Sequence, residues 1–80
     1  SAHYPAIELN GSISRLMQTL LNTDDMKQAN KLRRLWSIYQ QNVDLVQVGA
    51  YQMGSNLELD EAIRLHERVV NFLRHKMFLN

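Results

Sequence analysis

Residues 26–46 read MKQANKLRRLWSIYQQNVDLV, and the spacing of their apolar side chains decides the fold. Met26, Ala29, Leu32, Trp36, Tyr39, Val43 and Val46 advance by three or four at every step, the period of a helix that buries one stripe. Lys31, Arg33 and Arg34 fall mostly off that stripe and mark a solvent face. Asn22 or Thr23 offers an N-cap, and Asp24 and Asp25 follow in the first turn, where the helix dipole favours negative charge. Gly49 is a natural stop after Val48. The run Gln40-Gln41-Asn42 is a candidate break, because it offers little to pack and asparagine competes for backbone hydrogen bonds.

C-terminal to this stretch, Gly49 to Asn56 reads as a connection with Gly54 and Ser55 as turn residues. Ser55 and Glu58 fit a capping box for a second long helix, whose apolar positions are Leu59, Ala62, Ile63, His66, Val69, Val70, Leu73 and Met77. N-terminal to it, Ile13, Leu16, Met17, Leu20 and Leu21 predict one or two helical turns, with Arg15 off the apolar side. Residues 1–11 hold the only proline, Pro5, together with Gly11, and read as an irregular lead-in. The expected fold is all-α: a small bundle of two long antiparallel helices, a short helix and that lead-in.

Eighty residues suffice for one small domain. Nine basic against eight acidic side chains leave a formal charge of +1, too little to neutralise a row of phosphates, so no nucleic-acid partner is expected. No run is long and apolar enough for a transmembrane helix, and the first residues lack a signal-peptide pattern. The absence of cysteine removes disulfides, thiolate chemistry and cysteine-held zinc. His66 and His75 stand nine positions apart on one predicted helix and point to opposite faces, so no shared metal site is expected. By residue type alone Tyr4 is an anchor closing the lead-in, Arg15 a solvated charge, Phe78 a staple at the bundle end and His66 a core-edge histidine. Asp24 with Asp25, and Asp60 with Glu61, read as first-turn charges rather than a catalytic carboxylate pair.

Three motifs add a family resemblance that covers essentially the whole chain. Tyr4-Pro5-Ala6-Ile7 and Ser12-Ile13-Ser14-Arg15-Leu16-Met17 resemble the start of the C-terminal domain in the hexameric ATPases related to rotary ATP synthases. Gly49-Ala50-Tyr51-Gln52-Met53-Gly54-Ser55 with Glu58-Leu59-Asp60-Glu61-Ala62-Ile63 resembles the G-A-Y-Q-x-G-S-x-x-E-L-D-x-A-I stretch of flagellar type III export ATPases. Injectisome type III ATPases, the nearest alternative, more often read G-E-Y-Q there.

The resemblance implies that residues 1–80 are the C-terminal helical domain of a larger, cytoplasmic homohexameric ATPase, with 1–21 as nucleotide-site loop and short helix and 22–80 as helical hairpin. It implies that Tyr4 packs on adenine in its own subunit's site and that Phe78, after Phe72-Leu73-Arg74-His75, forms the other adenine wall. Arg15 becomes the arginine finger given to the adjacent protomer, with Ser12 and Ser14 supporting it. The implied cofactor is ATP with Mg2+ in the parent protein, the Mg2+ not being bound by this piece. The implied partners are a coiled-coil stalk protein at the 49–56 connection, export chaperones and substrates, with the membrane reached only indirectly through the export gate at its inner face. These 80 residues contain no G-x-x-x-x-G-K-[ST] phosphate loop, so the piece alone is expected to be inactive. A non-catalytic helical interaction module is the rival class, and it predicts that Tyr4 and Arg15 are dispensable.

Overall fold

Apolar residues spaced at helical intervals on three separate segments require three helices that share one interior. In the computed structural model, which describes residues 6–22 and 26–77, they form α1 (Ala6–Leu21), α2 (Met26–Gln41), a short α3 (Val43–Gln47) and α4 (Leu57–Met77). All elements among the described residues are helical, as the sequence predicts. The α2–α4 contact is the largest, and α1 packs on both. Ion pairs Arg34–Glu58 at 2.6 Å and Lys31–Glu61 at 3.1 Å descend α2 while ascending α4, the register of an antiparallel pair.

Two apolar clusters meet along α4. One joins Leu35 and Tyr39 to Leu59, Ala62 and Ile63, with Val43, Val46 and Tyr51 against it. The other joins Ile13 and Met17 of α1 to Val69 and Leu73, with Leu32 and Trp36 alongside. Leu65 packs against both. Because α2 faces both α1 and α4, its buried arc is wider than a single stripe and takes in Leu35, while Met26, expected inside, is 69% exposed at the helix end.

The first correction concerns the lead-in. Residues 6–11 are helical, not irregular, and α1 runs 16 residues. Leu9 packs against the second cluster four positions before Ile13, so the apolar spacing continues upstream of Ser12 and carries the helix through Gly11. A glycine within a helix costs only about 0.5–1 kcal/mol relative to alanine, and burial of Ile13 and Met17 outweighs it. A proline directly ahead of the first helical residue costs that helix no hydrogen bond.

The expected break after α2 falls at Asn42. Its backbone N–H bonds the Tyr39 carbonyl at 3.1 Å, and its side-chain Nδ2 takes the Ile38 carbonyl at 2.8 Å, so the side chain replaces the bond that would have continued the helix. Five residues later α3 ends in a Schellman turn: Gly49, at φ +75°, donates to the Val46 carbonyl and Ala50 to the Leu45 carbonyl. The cap of α4 is Asn56 rather than Ser55. The Asn56 Oδ1 accepts the Leu59 N–H at 3.2 Å, while the Ser55 Oγ turns back to donate to the Gln52 carbonyl at 2.6 Å and Glu58 is held by Arg34. Asn22 closes α1 by donating to the Gln18 carbonyl at 3.1 Å. Thr23, Asp24 and Asp25 lie outside the described residues.

Candidate functional site

Arg15 projects from the side of α1 opposite its packed face. Ile13 and Met17 are 3% and 1% exposed, whereas Arg15 is exposed. Its Nη2 donates to the Oγ of buried Ser12 at 3.1 Å, and its carbonyl accepts the Thr19 Oγ1–H at 3.1 Å. No carboxylate among the described residues pairs with it. The guanidinium is therefore tethered by one neutral bond on a packed helix and remains exposed, an arrangement suited to an anionic group that arrives from outside. Ser14 is exposed.

Tyr4 and Phe78 lie outside the described residues. Leu9 and Asn10, near the start of α1, line a cleft of about 430 Å³ with Val70, Asn71 and Arg74 from the last third of α4. Tyr4 precedes α1 by two residues in sequence, and Phe78 follows α4 directly.

His66 also lines this cleft. Its ring stacks on Tyr39 with centroids 4.0 Å apart and 9° between planes, and on Trp36 at 6.4 Å. Burial pushes its pKa below the usual histidine value, opposed in part by Glu67. It is a half-buried histidine at the core edge, as its spacing suggests. No three metal-ligating side chains converge among the described residues.

The connection between α3 and α4 is more tightly organised than its sequence reveals. Asp60, read as a simple first-turn charge, is 4% exposed and accepts the Gly54 N–H at 3.0 and 3.2 Å. The Tyr51 hydroxyl donates to its Oδ1 at 2.5 Å and accepts the Asn56 N–H at 3.1 Å. The Tyr51 bond, with help from Gly54 and the nearby charge of Arg64, holds the Asp60 carboxyl below its ordinary pKa against the opposing effect of burial. Outside this latch, Leu45, Val48, Met53 and Leu57 are exposed, three of them by more than half, so the connection presents apolar side chains on a fixed frame. Tyrosine, glycine and aspartate at positions 51, 54 and 60 were the available signal for the latch, but only the fold brings them together.

Residues 21–78 match the model of the family described as T3SS EscN ATPase C-terminal domain. The chain is 43% identical over 72 residues to the flagellum-specific ATP synthase of Pseudomonas aeruginosa, covering 90% of this chain and 16% of that protein. It is 41% identical over 71 residues to the flagellum-specific ATP synthase of Bacillus subtilis, covering 89% and 16%. Against the type 3 secretion system ATPase of Pseudomonas syringae pv. tomato it is 36% identical over 75 residues, covering 94% and 17%. The chain thus spans about one sixth of the length of the curated relatives it matches. No solved structure matches it.

Proposed function

Because the chain belongs to the T3SS EscN ATPase C-terminal domain family, we propose that it is the C-terminal helical domain of a flagellar type III export ATPase, in which ATP hydrolysis by a homohexamer drives protein export. The relatives named as flagellum-specific ATP synthases, at 39–44% identity, carry this reading ahead of the injectisome one. In it, Arg15 is the finger that reaches the neighbouring protomer's γ-phosphate, and Tyr4 and Phe78 pack the adenine of their own subunit's site. Magnesium and the phosphate-cradling loop belong to the rest of the parent protein. ATP bound there supplies the γ-phosphoryl group, and the task of this domain is to bring positive charge to it.

The observation that supports the assignment of Arg15 is that no carboxylate among the described residues pairs with it, combined with a fixed base. Ser12 is buried and bonded to it, so the guanidinium is oriented without being neutralised. A finger of this kind accelerates phosphoryl transfer by roughly 10³–10⁵-fold. The 49–56 connection, held by Asp60, is where a coiled-coil stalk protein would rest, and the helical hairpin is the surface for export chaperones and substrates. The parent would work in the cytoplasm at the inner face of the membrane, and the 80-residue piece would be inactive alone.

The test is ATP turnover by the assembled parent protein carrying Arg15→Ala, with nucleotide affinity and oligomer size measured on the same sample. Turnover should fall by about three orders of magnitude or more while nucleotide still binds and hexamers still form. Turnover within a few-fold of the wild type would leave Arg15 a structural residue and favour the helical interaction module.

A further inference from the structure

A second cleft of about 450 Å³ lies between α2 and α4, lined by Leu35, Leu57 and Leu65 with Arg64 and Arg68 at its rim. Glu61 at its rim is paired with Lys31 at 3.1 Å, and the neighbouring Glu58 with Arg34 at 2.6 Å. Asp60 is buried and committed to Tyr51 and Gly54. Among the described residues neither Arg64 nor Arg68 forms an ion pair, although the charge of Arg64 helps to lower the Asp60 pKa. Both are exposed. The face therefore carries four cations, Lys31, Arg34, Arg64 and Arg68, against the three carboxylates Glu58, Asp60 and Glu61, a small positive surplus that resides on the two arginines outside the ion pairs.

Apolar groups continue the surface at both ends. Leu57 is 78% and Phe72 49% exposed, and at 100° per residue both lie on the same quarter of α4 as Arg64 and Arg68. From Leu57 to Phe72 the helix rises about 22 Å, the length of a four-turn partner helix. Arg64 and Arg68 stand one turn apart between them, a spacing matched by two carboxylates at i and i+4.

We infer that this face is a docking site for an acidic amphipathic helix, about four turns long, whose apolar side covers Leu57, the cleft lined by Leu35 and Leu65, and Phe72 while a pair of its carboxylates meets Arg64 and Arg68. The inference deepens the proposal that the helical hairpin receives export chaperones or substrates, and it rests on that part of the reading alone. The charge surplus selects the partner's sign, and the apolar ends set its length. Long-range attraction of this kind acts mainly on the rate of encounter and on the choice of partner.

The probe is a synthetic four-turn helical peptide with leucines on one face and glutamates at i and i+4 on its flank, compared with a twin carrying lysines there. Both are titrated by fluorescence anisotropy against the full-length ATPase that contains this domain. At about 50 mM salt the glutamate peptide should bind roughly tenfold tighter than its twin, and the preference should shrink at about 500 mM. Arg64→Gln with Arg68→Gln should erase the preference and the double Glu variant should invert it. Hydrogen exchange should show protection on residues 31–35 and 57–72. Equal binding of the two peptides, an unchanged preference in the variants, or protection confined to residues 43–56 overturns the inference. So does loss of the hexamer in the Gln variant, which would make the occupant a neighbouring subunit. Arg15 lies on another helix, so turnover of the Arg15→Ala protein reports on the nucleotide role independently of every one of these outcomes.

Discussion

The α3–α4 connection and helix α1 are held to the same bundle by opposite means. Around residues 49–60 the chain is fixed by short-range polar bonds: the Gly49 turn, the Asn56 cap and the Asp60 carboxylate gripping Gly54 and Tyr51. Helix α1 has few such ties. Its described side-chain bonds, Arg15 to Ser12 and Thr19 to Arg15, are internal to the helix, and what holds it to α4 is burial of Ile13 and Met17 against Val69 and Leu73. A surface that must keep its shape is latched by directional bonds, while a helix that must deliver one charge is held by nondirectional packing that tolerates small adjustments.

The largest test of that contrast removes the packing. Met17→Ala should destabilise the domain by about 2–5 kcal/mol, with hydrogen exchange showing α1 opening first while α4 keeps its protection. Simultaneous loss in α1 and in residues 49–60 would break the distinction. Next comes the latch: Tyr51→Phe leaves the ring in place and removes the hydroxyl from Asp60, for a loss of about 1.5 kcal/mol in urea unfolding. Faster exchange at the Gly54 and Asn56 amides should accompany it, with α1 unaffected.

Gly11→Ala probes α1 from the other direction. An added Cβ would sit 3.4 Å from the Arg15 Nη1, ordinary contact with the end of a flexible side chain, so the substitution should stabilise α1 by about 0.5–1 kcal/mol. A destabilised variant would show that the Arg15 position leaves no room at Gly11.

The smallest effect is that of pH, and it separates the two regions by range. The folded-state pKa of His66 is depressed, so the folded protein binds fewer protons than the unfolded chain as pH falls below about 6.5, and stability declines through that window. Asp60 is depressed too, so its contribution is present above about pH 4 and is lost only as pH falls through its lowered folded value. His66→Gln should flatten the upper window and leave the acid limb. Histidine and aspartate resonances followed by NMR titration would check both directions.

How much of this was legible in the sequence follows from how local each cause is. The α2 and α4 stripes, the break at Asn42 and the stop at Gly49 are fixed by residues within a turn of one another, and the sequence displays them. The start of α1 is hidden because Pro5 and Gly11 look like breakers, while the burial that overrides them, of Ile13 and Met17 against Val69 and Leu73, joins helices far apart in the sequence. The cap falls at Asn56 rather than Ser55 because the Ser55 hydroxyl turns back to donate to the Gln52 carbonyl, while the Asn56 Oδ1 accepts the Leu59 N–H. Asp60 resembled any first-turn acid until folding buried it. At the candidate site, the exposure of Arg15 could be read from its place off the stripe, but its bond to Ser12 could not be told from sequence, and Tyr4 and Phe78 lie outside the described residues.

Leu65 has a role that neither cluster alone reveals. Among the described residues it is the one side chain that packs against both apolar groups, and it stands near the middle of the helix they share. Heating should therefore meet a single cooperative global transition rather than two, one leucine being shared by both halves of the core as a pin is shared by the two leaves of a hinge.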